Sequence, residues 1–221
     1  EGCDTSHVSV DPARLTGGVV LGIKDRDTFP LIFLRENCAD MAIAEDDVAE
    51  DYLARSRALL ITGTHFSTPH VDRVSHLALE RARRHGVRTV LDIDYRPVLW
   101  GLTKRGDGET RYVRSDTVTA HLQRILPQFD LVIGNVPFAK VTPHDPRHNR
   151  GRHALHNYFL IKSLHLTRSG GVVLALTSRY TLDARNATAR REIAGLADLV
   201  GAIRLPERAF ARSSGTDVVV D

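Results

Sequence analysis

The chain has 221 residues, 42% of them hydrophobic and 26% charged, with a formal net charge of +3. That balance is the one expected of a soluble globular protein of one or two domains, and it excludes fibrous and low-complexity classes. No apolar run approaches the roughly 20 residues that cross a bilayer, so no membrane partner is expected. Cys3 and Cys38 are too few for a disulfide framework and lack zinc-site spacing. With no basic and apolar leader in EGCDTSHV, the reading is a reduced, cytoplasmic protein.

Strand and helix signals then alternate along the chain. GGVVLGI and FPLIFLRE, separated by KDRDT, predict a β-hairpin. AEDDVAEDYLARS, 44–56, opens acidic and closes basic, as a helix favours. ALLITGTHF predicts a buried strand, followed by a helix that Ser67 or Thr68 caps and Gly86 stops. TVLDIDYRP is the next strand, ended by Pro97, and TKRGDGETRYVR is a charged surface loop. SDTVTAHLQRIL predicts a helix capped by Ser115, and FDLVIG another strand. Residues 139–151 carry two prolines and no apolar period, which predicts the most mobile internal loop. HALHNYFLIKSLHLTR reads as a helix, GVVLALTS as a strand, ARREIAGLADL as a helix, and LVGAIRLP and DVVVD as strands. Strands separated by helices imply an α/β fold with a doubly wound, mostly parallel sheet, built from two partial Rossmann-like halves.

The charge is uneven. Residues 1–134 carry 17 basic and 20 acidic side chains, net −3, whereas 135–221 carry 13 and 7, net +6. A basic C-terminal part suits a polyanion, and weak, sequence-independent nucleic-acid contact is expected there.

LDIDYRPVLW, Leu91 to Trp100, resembles the D-x-N-x-R-x-x-L-W signature of ribokinase-like carbohydrate kinases, with Asp94 standing where many members have Asn. LGIKDRDTFPLIFLRENCADMAI and LLITGTHFSTP extend that resemblance across 1–134, toward the 5-dehydro-2-deoxygluconokinase subgroup. The resemblance implies ATP-dependent sugar phosphorylation with Mg²⁺. It assigns Arg96 to a substrate anion, Asp94 to sugar hydroxyls, and Arg35 to a second substrate contact. The late G-A-G-D segment that holds the family's catalytic Asp and anion hole has no counterpart in this sequence, so catalysis by this chain alone is not expected.

From Asn135 the resemblance changes. NVPF, Asn135 to Phe138, resembles motif IV of adenine-specific DNA methyltransferases, with Val136 in place of the first proline. The similarity runs on through ALHNYFLIKSLHLTRSGGVVLALTSRYTLD and LVGAIRLPERAFARSSGTDVVVD, covering about 129–221. It implies that Asn135 accepts hydrogens of an adenine amine, Pro137 fixes the turn and Phe138 stacks on a flipped base. S-adenosylmethionine is the cofactor of that family, but no Gly-rich cofactor turn precedes Asn135.

The combined reading is a composite of two incomplete enzymes, dividing at 1–134 and 135–221 and inactive alone. Its alternatives are a non-catalytic nucleic-acid-binding module and a sugar-acid kinase that needs a further segment. Neither ATP/Mg nor S-adenosylmethionine is expected to bind well. No metal ligands are assigned: His148, His153 and His156 read as solvated or phosphate-facing. Asn135 is expected just past a strand ending at Ile133, and Phe138 partly exposed at that edge. The residues set no oligomeric state.

Overall fold

A computed structural model describes residues 2–22, 31–104, 113, 115–137, 141–206 and 209–210. Contacts gather into two compact units, Glu1–Arg124 and Ile125–Asp221. The boundary expected after Gly134 rests on motifs, whereas compactness divides the chain earlier and leaves FDLVIG with the residues that follow it.

In the first unit, β1 (Gly18–Leu21) and β2 (Leu31–Leu34) pair antiparallel, Gly18 opposite Leu34, giving the expected hairpin. The expected helix over 44–56 is two pieces. A 3-10 turn, Glu45–Val48, precedes α1 (Glu50–Ala54), because Ala49 takes extended backbone (φ −50°, ψ 135°) and interrupts the helical ladder. Asp47 is the local cause: its carboxylate accepts the Ala44 N–H at 2.7 Å and closes the first turn on itself.

β3 (Ala58–Thr62) and β4 (Arg88–Asp92) pair in parallel, in register from Ala58 opposite Arg88 to Thr62 opposite Asp92. Between them runs α2 (Pro69–Arg84), which packs on both strands. Val71, Val74, Ala78, Leu79 and Ala82 recur at helical spacing and are all 3% exposed or less. Each large aliphatic buried there contributes about 1.5–3 kcal/mol of transfer free energy. The stop at Gly86 is as expected: at φ +68° its N–H reaches Arg83 O (3.1 Å) while Val87 N–H reaches Ala82 O (2.9 Å), closing the helix in a Schellman motif. The start differs from expectation. Thr68 occupies the cap position, yet its hydroxyl makes no capping bond, and the Ser67 hydroxyl donates to Thr64 O at 2.6 Å. Pro69, which has no N–H to satisfy, begins the helix instead. α3 (Asp116–Ile125) is capped by Ser115, whose Oγ accepts the Val118 N–H at 3.2 Å.

The second unit repeats the strand–helix–strand plan with β5 (Leu131–Asn135), α4 (Leu155–Leu166) and β6 (Val172–Leu176). The two strands are parallel, Leu131 opposite Val172 and Asn135 opposite Leu176. Phe129, Val132, Leu155, Tyr158 and Ile161, each 1% exposed or less, form its core. α5 (Tyr180–Asp183) and α6 (Thr188–Ala194) follow. The fold class is α/β, with parallel strands flanked by helices in both units, as the alternation of signals implied. Among the described residues no helix is long and apolar enough to cross a membrane.

Three expectations change here. β5 extends to Asn135, two residues past the expected end at Ile133, because its pairing with β6 continues to Leu176. LVGAIRLP forms no strand in its described residues; Leu199, Val200 and Ile203 stand 75%, 92% and 79% exposed, with no strand partner to cover them. Residues 141–151 are tied down rather than loose. Asn149 is buried and its amide donates to Pro143 O (2.8 Å) and His153 O (3.2 Å) while accepting the His153 N–H (2.8 Å). DVVVD and Phe138 lie outside the described residues, as does most of TKRGDGETRYVR.

The tightest backbone approach in the first unit is at Gly63, where a Cβ would fall 2.0 Å from Ile93 O. Gly63→Ala should therefore destabilise the protein by about 1–3 kcal/mol through forced backbone displacement. Gly18→Ala, whose Cβ meets nothing within 4 Å, should shift a urea midpoint far less. Equal midpoints for the two variants would contradict this packing.

Candidate functional site

In the first unit the polar residues gather where β3 and β4 end together. The register sets Thr62 beside Asp92 as the last pair of the two strands. The chain leaves β3 as a 3-10 turn, Gly63–Phe66, while β4 leads into Asp94 and Arg96. Gly63 allows the start of this turn to lie against the Ile93 carbonyl.

Asp94 and Arg96 are joined, Arg96 Nε donating to Asp94 Oδ1 at 2.8 Å, with both side chains 34% exposed. The Arg96 guanidinium also lies over the Phe33 ring of β2 at 5.8 Å, so the hairpin reaches the end of β4. Arg35, just past β2, pairs with Asp40 and is mostly buried. Burial and the Asp94 charge push the Asp92 carboxyl above its usual range. Burial and the Arg35 charge hold His65 below the ordinary imidazole value, favouring the neutral ring. His65 Nδ1 meets Thr62 Oγ1 at 3.0 Å, and that hydroxyl meets Thr64 Oγ1 at 2.7 Å. His65 Nε2 and Asp40 Oδ1 are buried with no hydrogen-bond partner among the described residues. The first unit offers one partly exposed cation–carboxylate pair, Arg96–Asp94, and two unsatisfied buried polar atoms, His65 Nε2 and Asp40 Oδ1. That suits a small, hydroxylated, anionic molecule.

The structure thus brings Asp94 and Arg96 together and places Arg35 in the same unit. Sequence reading did not single out His65, Asp40 or Thr62. The orphaned ring nitrogen is a tertiary feature, although LLITGTHFSTP already held the signal of a polar turn after a buried strand. A group of three side chains with metal-ligand geometry, Asp72, His76 and His121, was likewise not singled out.

In the second unit Asn135 is the exposed last residue of β5, and Val136 N–H donates to Leu176 O at 3.1 Å. Pro137 is half-buried, and Phe138 lies outside the described residues. The expected solvated histidines are corrected: His148 and His153 are 5% and 7% exposed. Each has a carboxylate to bury against. His148 Nδ1 lies 3.2 Å from Asp145 and His153 Nε2 lies 2.7 Å from Glu192. His156 Nε2 is also buried, without a hydrogen-bond partner among the described residues.

Asp145 is the hub of that unit. It accepts the backbone N–H of Arg147 and of His148 at 3.0 Å each and the Tyr158 hydroxyl at 2.9 Å, with Lys162 Nζ at 3.6 Å. Burial opposes its ionisation, but the hydrogen bonds from His148, Tyr158 and Arg147 together hold its carboxyl far below the usual range.

No family model matches the chain. Over 100 residues it is 40% identical to a 5-dehydro-2-deoxygluconokinase of Geobacillus kaustophilus, covering 45% of this chain and 30% of the relative. It is 36% identical over 98 residues to the same enzyme of Bacillus anthracis, covering 44% and 30%. The chain therefore spans about a third of the length of the curated relatives it matches. Among solved structures, a PfkB protein from Polaromonas sp. aligns with a TM-score of 0.48 at 22% identity, over 59% of this chain and 40% of that one. A putative ribokinase II in complex with ATP and Mg²⁺ from E. coli aligns at 0.45 and 16% identity, over 74% and 46%.

Because the folded-state pKa of Asp145 is depressed, its stabilisation is present above the unfolded value, near 3.9, and is lost as pH falls through the folded value. Asp145→Asn should cost about 1–3 kcal/mol at pH 7, with the gap to wild type narrowing below pH ~4. Denaturant titrations at pH 7 and pH 3 check this; a gap that widens in acid would contradict it.

Proposed function

We propose that the first unit carries the substrate-binding side of a sugar-acid kinase site of the 5-dehydro-2-deoxygluconokinase type. The observation that carries this reading is the Arg96–Asp94 pair at the C-terminal end of β4 under Phe33 of the hairpin. The 40% identity over 100 residues to kinases of that name supports it. In this reading Arg96 grips the carboxylate of the sugar acid, and Asp94 exchanges part of its hold on Arg96 for a substrate hydroxyl. Arg35, fixed by Asp40, supplies a second positive charge. His65 Nε2 and Asp40 Oδ1 gain the hydrogen bonds they otherwise lack.

Phosphoryl transfer also needs a nucleotide, Mg²⁺ and a base. ATP and Mg²⁺ enter by resemblance to the kinases alone, since the described site residues supply the sugar side of the reaction only. Binding without turnover is the expected behaviour of this chain by itself. Calorimetry with 5-dehydro-2-deoxy-D-gluconate should give a saturable isotherm that Arg96→Ala weakens by about ten- to a hundredfold, the equivalent of roughly 1.5–3 kcal/mol for a lost charged hydrogen bond. An isotherm indistinguishable from buffer, or unchanged by Arg96→Ala, would remove the reading.

A second reading applies to residues 129–221. Asn135 is exposed at the C-terminal end of a parallel strand, where α/β sheets present ligands. That position supports the methyltransferase-like reading of Asn135 and Pro137, with Phe138 joining them by resemblance, and in this reading the chain is a composite of two partial enzymes. S-adenosylmethionine should still not bind, because no cofactor turn precedes Asn135; a one-to-one isotherm with it would overturn this expectation. Nucleic acid would be held only through arginines such as Arg147, Arg150 and Arg152, with affinity falling steeply in salt. Arg168 is less available, being paired with Asp130.

A further inference from the structure

We propose that Asp72, His76 and His121 form a binding site for a first-row divalent cation, zinc foremost, that ties α2 to α3 within the first unit. None of these residues belongs to the Asp94–Arg96 pair or its neighbours at the strand ends. Asp72 and His76 are one helical turn apart on α2, so their side chains rise from the same face. His121 comes from α3 and brings Nε2 to 3.0 Å from Asp72 Oδ1, while His76 Nε2 lies 3.7 Å from the same oxygen. All three ligand atoms lie within 4.8 Å of one another. Ligands on a tetrahedral zinc, bound at about 2.0–2.1 Å, stand roughly 3.3 Å apart. The observed spacings bracket that value.

Hydrogen bonding alone does not account for the group. Asp72 Oδ1 and His121 Nε2 are both buried, yet their close approach is not aligned as a hydrogen bond, and the other histidine nitrogen near that oxygen, His76 Nε2, is 3.7 Å away, beyond hydrogen-bond reach. Two ligands that share an ion stand in this relation, near each other but aimed past each other. The surroundings are apolar and confining. Phe66 lies 5.7 Å from the His76 ring and 6.0 Å from the His121 ring, and Trp100 meets His121 edge-on at 5.5 Å. These rings pack against the two imidazoles, while His76, its side chain 37% exposed, keeps a route to solvent. Two imidazoles and one carboxylate suit zinc or cobalt, whereas magnesium and calcium prefer oxygen ligands throughout. Three protein ligands leave a fourth position for water.

One neighbour works against the ion. Arg124 NH2 lies 3.0 Å from His121 Nδ1, a contact that makes Nδ1 the acceptor and leaves the ring proton on Nε2. Metal binding at Nε2 requires the opposite tautomer, with Nδ1 carrying the proton and facing an acceptor. Arg124 must then turn away from the ring. Its replacement by Gln, whose carbonyl can accept from Nδ1, should strengthen binding.

The test is a zinc titration of the full chain in competition with a chromophoric chelator, with cobalt absorption as the coordination readout. One ion per chain is expected, with His76→Ala and His121→Ala each weakening affinity at least about tenfold and Arg124→Gln raising it. His165→Ala serves as the control for the chain's other histidines and should leave affinity unchanged. If an alanine variant loses its far-UV circular dichroism, Asp72→Asn decides, since it keeps the shape and weakens the ligand. Overturning results are a wild-type chain that takes up no zinc, a His76→Ala/His121→Ala double variant that binds as wild type, or a cobalt spectrum unaltered by Asp72→Asn.

Discussion

The candidate site of the first unit depends on the absence of one side chain. Where the backbone leaves β3 it passes so close to the Ile93 carbonyl that only a hydrogen fits on Gly63. That approach sets the start of the turn after β3 against the backbone at Asp92 and Ile93, just ahead of Asp94 and Arg96. A larger residue at Gly63 would push the two strand ends apart. The hairpin then closes over this junction through Phe33 and Arg96.

Much of this was legible in the sequence where a local rule and tertiary burial agree. α2 follows from helical spacing and Gly86 and sits where the pattern put it, whereas the buried strand expected over ALLITGTHF stops at Thr62, gives way to a 3-10 turn and buries only Ile61 of its five residues. Asp94 and Arg96 were singled out by the resemblance of LDIDYRPVLW to a kinase signature, and the structure pairs their side chains. Other features needed the third dimension. His148 and His153 look solvated in a stretch with two prolines and several arginines, but each meets a carboxylate, one of them 39 residues away in sequence. The apolar residues of LVGAIRLP read as a strand because alternation and β-branching favour one. Strands also need a pairing edge, and none is present among their described neighbours.

The same contrast separates the histidines from one another. His121 reads as an unremarkable position on the amphipathic helix after Ser115. Its partners, Asp72 and His76, lie on a different helix, and spacing rules that look within one segment cannot join them. The boundary expected near Gly134 came from motif reading, while the compact units divide at Arg124. β5 therefore packs with residues that follow it, whichever family its sequence resembles.

The Asp145 hub has a consequence for how the second unit opens. One carboxylate accepts from two backbone amides of its own loop and from Tyr158 on α4, with Lys162 a turn further on and close by. Asn149 and the His153–Glu192 contact extend the same network from the loop to α6. Separate fraying of the loop would strip this partly buried carboxylate of its backbone and Tyr158 donors, a cost of about 1–3 kcal/mol. The irregular segment and the first turns of α4 should accordingly exchange their amide hydrogens as one cooperative unit, at the rate of a subglobal opening rather than that of a surface loop.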